Sequence, residues 1–303
     1  MLLQELSPDR GRRRANGVAQ AAFMTGALVT VLVSLLIVWT LGSEAWSFVS
    51  QVRPESLSEI GWYPRRGLFD LSTLFVGTAL IAGVAMVVSV PLGVGVALYL
   101  AEFAQAGVRR VLKPAIEMLA SVPSVVLGFF AISFITPDLL SRLFVDIRFF
   151  NMLAAGIAVG ILTTPLIASI AEDSLRAVPD SLRQASAGLG ARRVSTSLRV
   201  VLPAAASGVI AALVVGLSRA IGETMVVAVA AGAVGGSLFG LDLLSEGSTV
   251  TAAMASLGAG TDQVAGNDLA FQSLYFLGAL LFITTFVLNL VGSRIVRRFQ
   301  EKY

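Results

Sequence analysis

A chain of 303 residues in which 56% are hydrophobic and 14% charged is too apolar for a soluble domain. Its mean hydropathy of +0.83 points to a polytopic membrane protein. With no Cys and no His it has no disulfide, no thiolate nucleophile and no imidazole for acid–base or metal chemistry. The net charge of +3 says less than the placement of the charges.

Residues 1–17 are polar and basic, with Arg10, Arg12, Arg13 and Arg14. The apolar run from about Val18 to Leu41 is longer than the roughly 7–15 residues of a signal-peptide core, and reads as an uncleaved first span. Residues 43–70 read as a polar loop whose Trp46, Trp62 and Tyr63 suit a membrane interface. The second span, about Leu71 to Leu100, is longer at ~1.5 Å per residue than the ~30 Å hydrocarbon core requires. Pro91, Gly93 and Gly95 inside it predict a tilt or kink. A short basic loop with Arg109, Arg110 and Lys113 leads to a third span, about Pro114 to Thr136, which contains Pro123. The fourth runs from about Asn151 to Ala171 and contains Pro165. The fifth, about Ala204 to Ala231, is followed by a Gly-rich loop over 232–269 without Lys or Arg. The sixth covers about Ala270 to Gly292, ahead of a tail with Arg294, Arg297, Arg298 and Lys302.

Six spans place the N-terminus, the 101–113 loop, the 172–199 stretch and the tail on one side. These segments hold 4, 3, 5 and 4 basic residues, 16 of the chain's 22. The other side holds five, Arg53, Arg65, Arg66, Arg142 and Arg148, and Arg219 lies within a span. The positive-inside rule therefore predicts that both termini and the 172–199 stretch are cytoplasmic. No internal repeat of the kind that builds inverted-repeat secondary transporters is found.

The longest polar insertion between apolar segments, Glu172 to Pro203, predicts a helix–turn–helix. Pro179 fits the first turn of a helix, where its missing N–H would be unpaired anyway. Leu182, Ala185 and Leu189 share one face, with Arg183 and Gln184 elsewhere. Gly188 and Gly190 can supply a left-handed stop. In the second helix Val194, Leu198 and Val201 share a face apart from Arg192, Arg193 and Arg199, and Pro203 ends the stretch. Physics alone leaves two readings, a docking surface rigidly attached to the bundle or an ordinary loop anchored at the headgroups.

In the fifth span Gly208, Ala212, Gly216 and Ala220 form a row of small residues at i, i+4 spacing. Such a row lets another helix approach closely, inside the chain or from a partner subunit. Arg219 and Glu223 are also four apart. A central Arg costs about 2.5–3.5 kcal/mol on insertion scales, so Arg219 must face protein or a water-filled cavity. The pair is either a strut or the lining of an anion path. The planar guanidinium fork suits a phosphate-like oxyanion, with Glu223 holding Arg219 when the anion is absent.

Gln184-Ala-Ser, Gly190, Val200 and Leu202-Pro203 resemble the EAA loop of ABC importer permeases, although the family's Glu and second Ala are Gln184 and Ser186 here. That resemblance implies a coupling helix at about 179–190, held by Pro179, Leu182, Gln184, Ala185, Gly190 and Pro203, in a groove of a cytoplasmic ATPase. Arg219-Ala-Ile-Gly-Glu-Thr-Met225 is similar to the fifth-helix motif of the Pst phosphate importer permeases, closest to the PstC type. Ser121–Phe130, Pro91-Leu-Gly, Tyr99–Phe103 and Leu175–Leu182 match the same family. The resemblance implies an all-α type I ABC importer permease fold with six transmembrane helices. Residues 1–67 would be an N-terminal tail, first span and outer loop, and residues 68–303 the permease domain. It further implies phosphate as cargo, with Arg219 and Glu223 on its path. The implied partners are a sister permease, a cytoplasmic ATPase dimer and an extracytoplasmic phosphate-binding protein, in the lipid of a bacterial inner membrane.

Neither Lys113 nor Lys302 follows a Gly-rich loop of Walker A spacing, so ATP is expected on a separate subunit. The chain itself is expected to be no enzyme and to hold no metal, cofactor or nucleic acid. Gly232-Ala-Val-Gly-Gly236 reads as helix-end flexibility. The rival readings are a permease for sulfate or molybdate, a secondary anion transporter gated by Arg219–Glu223, and an intramembrane enzyme. The enzyme would be limited to Glu117 and Glu223 as its carboxylates.

Overall fold

The computed structural model describes residues 10–232, 240–260 and 268–298. The first helix, α1 (Arg10–Gln51), is a single rod of 42 residues. It runs ten residues past the expected end of the first span, because Gly42 and Ser43 stay helical and no proline interrupts them. The expected outer loop is therefore shorter and more ordered. It folds as a hairpin of β1 (Trp62–Tyr63) and β2 (Leu68–Phe69), with Trp62 opposite Phe69 and Tyr63 opposite Leu68. Gly67 turns between them at φ +74°, a conformation that favours glycine. Trp46 is exposed, as an interfacial residue would be, but Trp62 is buried. Its ring meets Phe69 edge-on at 5.8 Å in a small core with Phe48, Leu74, Leu257 and Leu277.

Asp70 caps α2 (Leu71–Leu98) by accepting from the backbone N–H groups of Ser72 and Thr73, and it also takes the N–H of Gly61. Burial opposes the charge on Asp70, but these bonds and the Ser72 and Thr73 hydroxyls outweigh it and hold the carboxyl below its ordinary value. Past Leu98 the helix widens into one more turn, Tyr99–Phe103.

The centre of the bundle is α2 packed on α5 (Met152–Arg176). Glycines set that contact: Gly156 lies against Val84, Gly160 against Val88 and Ala85, and Gly93 against Ile167. The fifth-span helix α9 (Ala206–Ile221) closes on the same pair, with Gly216 against Ile167 and Thr163 and Gly208 against Ser174. Ala212 and Ala220 are buried. The small-residue row thus packs on the chain's own fourth-span helix.

Two expected spans are broken. The third divides into α3 (Ala106–Leu119) and α4 (Ser124–Phe130), which widens into further turns over Ala131–Leu140; the two parts are bent by 85°. Pro123 sits at the break with extended backbone, ψ 130°, which ends one helix and starts the next. No residue of α3 is buried. Ahead of the fifth span, α6 (Asp180–Gly188) is followed by α7 (Arg193–Thr196), a wider turn over Ser197–Val201 and α8 (Leu202–Ala204). The rod Arg193–Ala204 then bends by 72° at Ala205 into α9, and α9 stops at Ile221 rather than continuing to Ala231. After Gly222–Thr224 a short α10 (Met225–Ala230) resumes. Four helices, Gly17–Gln51, Leu71–Phe103, Met152–Arg176 and Asp268–Arg298, are long and apolar enough to cross a membrane, and the two bent pairs raise the number to as many as six.

The expected loop 232–269 contains α11 (Val250–Gly258), and α12 (Asp268–Arg298) follows. Residues 233–236 of the Gly-rich stretch lie outside the described residues. The segment before α11 clasps the start of α5: the N–H groups of Met152 and Leu153 donate to the carbonyls of Ser245 and Leu243. The Asn151 side chain caps α5 through the Ala154 N–H at 2.7 Å.

A Cβ placed on Gly160 would lie 2.8 Å from the Val88 Cβ and 2.9 Å from the Ala85 carbonyl oxygen, whereas one on Gly83 would meet nothing within 4 Å. Gly160→Leu should therefore cost about 1–3 kcal/mol through overpacking, while Gly83→Leu should be nearly neutral. Thermal unfolding of the two variants in the same detergent checks this, and equal shifts in Tm would show that the α2–α5 contact is not the tight one.

Candidate functional site

At one end of the bundle the polar hairpin is fixed to the helices by Arg183. Its guanidinium makes five hydrogen bonds. Nε and Nη2 donate to Oε1 of Glu102, at 3.1 and 2.9 Å. Nη2 also donates to the Leu175 carbonyl, and Nη1 to the Val178 carbonyl and Asp180 Oδ1. Glu102, at the end of α2, is buried and accepts a further hydrogen bond from the Ser197 hydroxyl at 3.4 Å. One side chain therefore joins the end of α2, the carbonyl-rich end of α5, and α6. The sequence reading placed Arg183 off the packed face; in the structure it points inward, beside Leu182.

The outer face of α6 is correspondingly different from the one expected. Leu182 packs into the core with Leu175, Val178 and Val201, so it does not share a surface with Ala185 and Leu189. Gln184 and Ala185 are exposed, and Leu189 is 90% exposed at the tip. Pro179 stands at the residue before α6 with extended backbone, ψ 139°, one position ahead of the expected first turn. Gly188 remains helical, and Gly190 alone supplies the left-handed stop, at φ +78°. The turn closes with Gly190 N–H donating to Ala187 O and Ala191 N–H to Ser186 O, and the Ser186 and Thr196 hydroxyls link the two arms at 2.9 Å. Pro203 lies inside α8, ahead of the bend. A second tie holds α3 to α5: Lys113 Nζ is 2.7 Å from Oε2 of the fully buried Glu172 and 2.9 Å from Oδ1 of Asp173.

Between α3, α5 and α9 an open cavity of about 420 Å³ is lined by Arg219, Glu117, Ser169, Leu162, Pro165, Leu166 and Ala120. Arg219 is exposed to it from α9, and Glu117 from α3, where Oε1 accepts from the Ser169 hydroxyl at 3.3 Å. Among the described residues no carboxylate lies within 4 Å of the Arg219 guanidinium. The expected Arg219–Glu223 pair is therefore not formed. The i, i+4 argument needed a continuous helix, and α9 ends between the two residues. Glu223 is buried in the break, where its carboxylate accepts from the Val226 N–H at 3.4 Å and its carbonyl from the Thr251 hydroxyl at 2.7 Å. It anchors α10 and α11 instead of Arg219. The residue that shares a cavity with Arg219 is Glu117, which the sequence offered only as a carboxylate for the enzyme reading.

The sequence matches the family described as binding-protein-dependent transport system inner membrane component over residues 89–303. It is 30% identical over 306 residues to the phosphate transport system permease protein PstC of Xylella fastidiosa, covering 94% of this chain and 89% of that protein. It is also 31% identical over 221 residues to the phosphate transport system permease protein PstA 1 of Mycobacterium tuberculosis, covering 73% and 70%. Among solved structures, a bacterial ABC transporter involved in the import of the acidic polysaccharide alginate superposes with a TM-score of 0.63 at 14% identity, covering 95% of this chain and all of that one. The inward-facing MetNI methionine ABC transporter superposes with a TM-score of 0.53 at 22% identity, covering 75% and 93%. The fold is thus the all-α, multi-pass fold of type I ABC importer permeases, and its relatives are transport components rather than enzymes. By the match over residues 89–303, the chain belongs to the binding-protein-dependent transport system inner membrane components.

Proposed function

We propose that this chain is a PstC-type permease subunit of an ATP-driven importer of inorganic phosphate. The observation that carries the cargo assignment is Arg219, a guanidinium free of any carboxylate partner among the described residues, on the wall of an open cavity between α3, α5 and α9. An unpaired Arg at this depth is costly unless an anion or water occupies its fork. The similarity to phosphate permeases of both the PstC and PstA kind supports the same cargo. A sister permease would close the open side of the cavity, and a binding protein outside would deliver the anion. ATP binds the partner ATPase dimer, which docks on the exposed Gln184, Ala185 and Leu189 surface of α6.

The mechanism follows from how α6 is attached. Force applied to α6 passes through Arg183 to Glu102 on α2 and to the end of α5, so the three helix ends move together. The bend at Ala205 lets the α7–α8 rod follow, and α9, which carries Arg219, moves with α5 through its Gly208 and Gly216 contacts. Rocking of that kind opens the cavity to one side of the membrane and then to the other.

Orientation is tested by single Cys residues in this Cys-free chain, labelled in intact cells with a membrane-impermeant reagent. Residues 55 and 245 should label and residue 190 should not; the reverse pattern would take α6 away from any cytoplasmic ATPase. Coupling is tested by Gly190→Asp. At φ +78° a side chain is strained, so the variant should reach the membrane and lose ATP-driven uptake, and Ala185→Cys should cross-link to the ATPase in the otherwise wild-type chain. Normal uptake by the Gly190 variant would show that the turn does not transmit force. For the cargo site, Arg219→Gln should lower phosphate uptake by about tenfold or more, a barrier change of about 1.4 kcal/mol. Arg219→Lys should recover only part, because a point charge lacks the bidentate fork. Because Arg219 makes no ion pair, neither change should reduce the amount of folded protein. Uptake per membrane-resident transporter that stays at the wild-type rate in Arg219→Gln would remove Arg219 from the path.

A further inference from the structure

We infer that Glu117 makes the Arg219 cavity selective for oxyanions that carry a proton, so that phosphate and arsenate enter and sulfate and molybdate are turned away. The inference rests on the reading of Arg219 as a substrate contact.

Glu117 and Arg219 reach the cavity from different elements, α3 and α9, across the face of α5 that carries Leu162, Pro165, Leu166 and Ser169. The volume of about 420 Å³ holds a tetrahedral oxyanion and several waters, since one water takes about 30 Å³. The two charges line one space without forming an ion pair, so each is available to a guest. Among the described residues the Glu117 carboxylate has no cationic partner within 4 Å, and its one hydrogen bond is from the Ser169 hydroxyl. The rest of the lining is apolar, which leaves the Glu117 carboxylate as the strongest acceptor on the wall.

An anion in this space is attracted by Arg219 and repelled by Glu117 unless it brings a hydrogen of its own. Phosphate keeps at least one O–H at neutral pH. That hydrogen donates to Glu117 while two bare oxygens accept the parallel N–H groups of Arg219. Sulfate and molybdate have no hydrogen to offer at that pH, so they set one anion against another with no compensating bond. A site built to accept a substrate O–H rejects the analogue that lacks it far better than a shape difference does. The carboxylate is the repulsive element that such discrimination needs. It also keeps an anionic cargo from binding too tightly to leave.

The test uses Leu166→Cys in the cavity lining, in the transporter assembled with its sister permease and ATPase, without nucleotide or binding protein. Thiol-labelling rates are measured against the same assembly lacking the introduced Cys. Phosphate and arsenate should slow labelling at concentrations where sulfate does not, with half-protecting concentrations differing by about tenfold or more. Glu117→Gln should collapse that difference by letting sulfate protect, and Glu117→Asp should keep it. Equal protection by phosphate and sulfate in the unaltered cavity would overturn the inference while leaving Arg219 as a substrate contact. An unchanged phosphate-to-sulfate ratio in Glu117→Gln would do the same. Absence of protection by any of these anions would overturn the Arg219 reading and the inference together.

Discussion

The Arg183–Glu102 contact is the joint on which the rest of this structure depends. Glu102 is buried at the end of an apolar helix, where an unpaired carboxylate would be expensive. Arg183 neutralises it through two N–H donors, and its other hydrogen bonds go to the Leu175 carbonyl in the last turn of α5, the Val178 carbonyl just beyond it and Asp180. Removing Arg183 would leave Glu102 buried and uncompensated, a loss of about 3–5 kcal/mol. The short helix α6 could not hold its place by packing alone, because Leu182 is its main apolar contact with the core. The ion pair makes it a rigid extension of α2 and α5. The Lys113–Glu172 tie does the same for α3, which buries no residue of its own.

Rigidity at that end contrasts with the breaks elsewhere. Backbone freed from a helix at membrane depth must find partners in protein or water. At Gly222–Thr224 a neighbouring element supplies one, the Thr251 hydroxyl donating to the Glu223 carbonyl, and at the start of α11 the Thr78 hydroxyl accepts the Val250 N–H. The bends at Ala205 and at Pro123 are where stiff segments change direction. Close glycine contacts hold both α2 and α9 to α5, and Gly128 holds α4 against Val229 of α10. A bundle with one fixed centre and jointed flanks suits a protein that must expose a cavity on alternate sides.

The sequence revealed what depends on composition and local pattern. The apolar runs located the long helices, Gly190 announced its positive φ, and the polar stretch between the fourth and fifth spans proved to be a short helix and a turn. It failed where tertiary partners decide. Periodicity put Arg183 outside, because Glu102 lies 81 residues away in the sequence and no spacing rule connects them. Trp62 looked interfacial because its partners Phe48 and Leu277 come from distant helices. The glycines at 93, 156 and 160 sit on two different helices, so neither helix alone shows the row that the pair makes. Arg219 was found by its cost in lipid, but its cavity neighbour was missed because a break in the helix separates Arg219 from Glu223, and the carboxylate that shares the cavity, Glu117, comes from a different element, α3.

That last substitution changes what the charges are for. An Arg paired with its neighbour on one helix is a neutral unit whose net attraction for an anion is small. An Arg and a Glu on separate helices, facing one cavity without touching, form a field across the space between them. On the proposed reading such a field would orient a guest as well as attract it, with bare oxygens at one wall and a hydroxyl at the other. Both walls are tied to α5, α3 through Lys113 and Glu172 and α9 through the close approach of Gly208 and Gly216, so their separation is set within this chain. On the proposed reading the site keeps its shape while the chain moves as a unit, and release follows from opening the side that a sister permease would close.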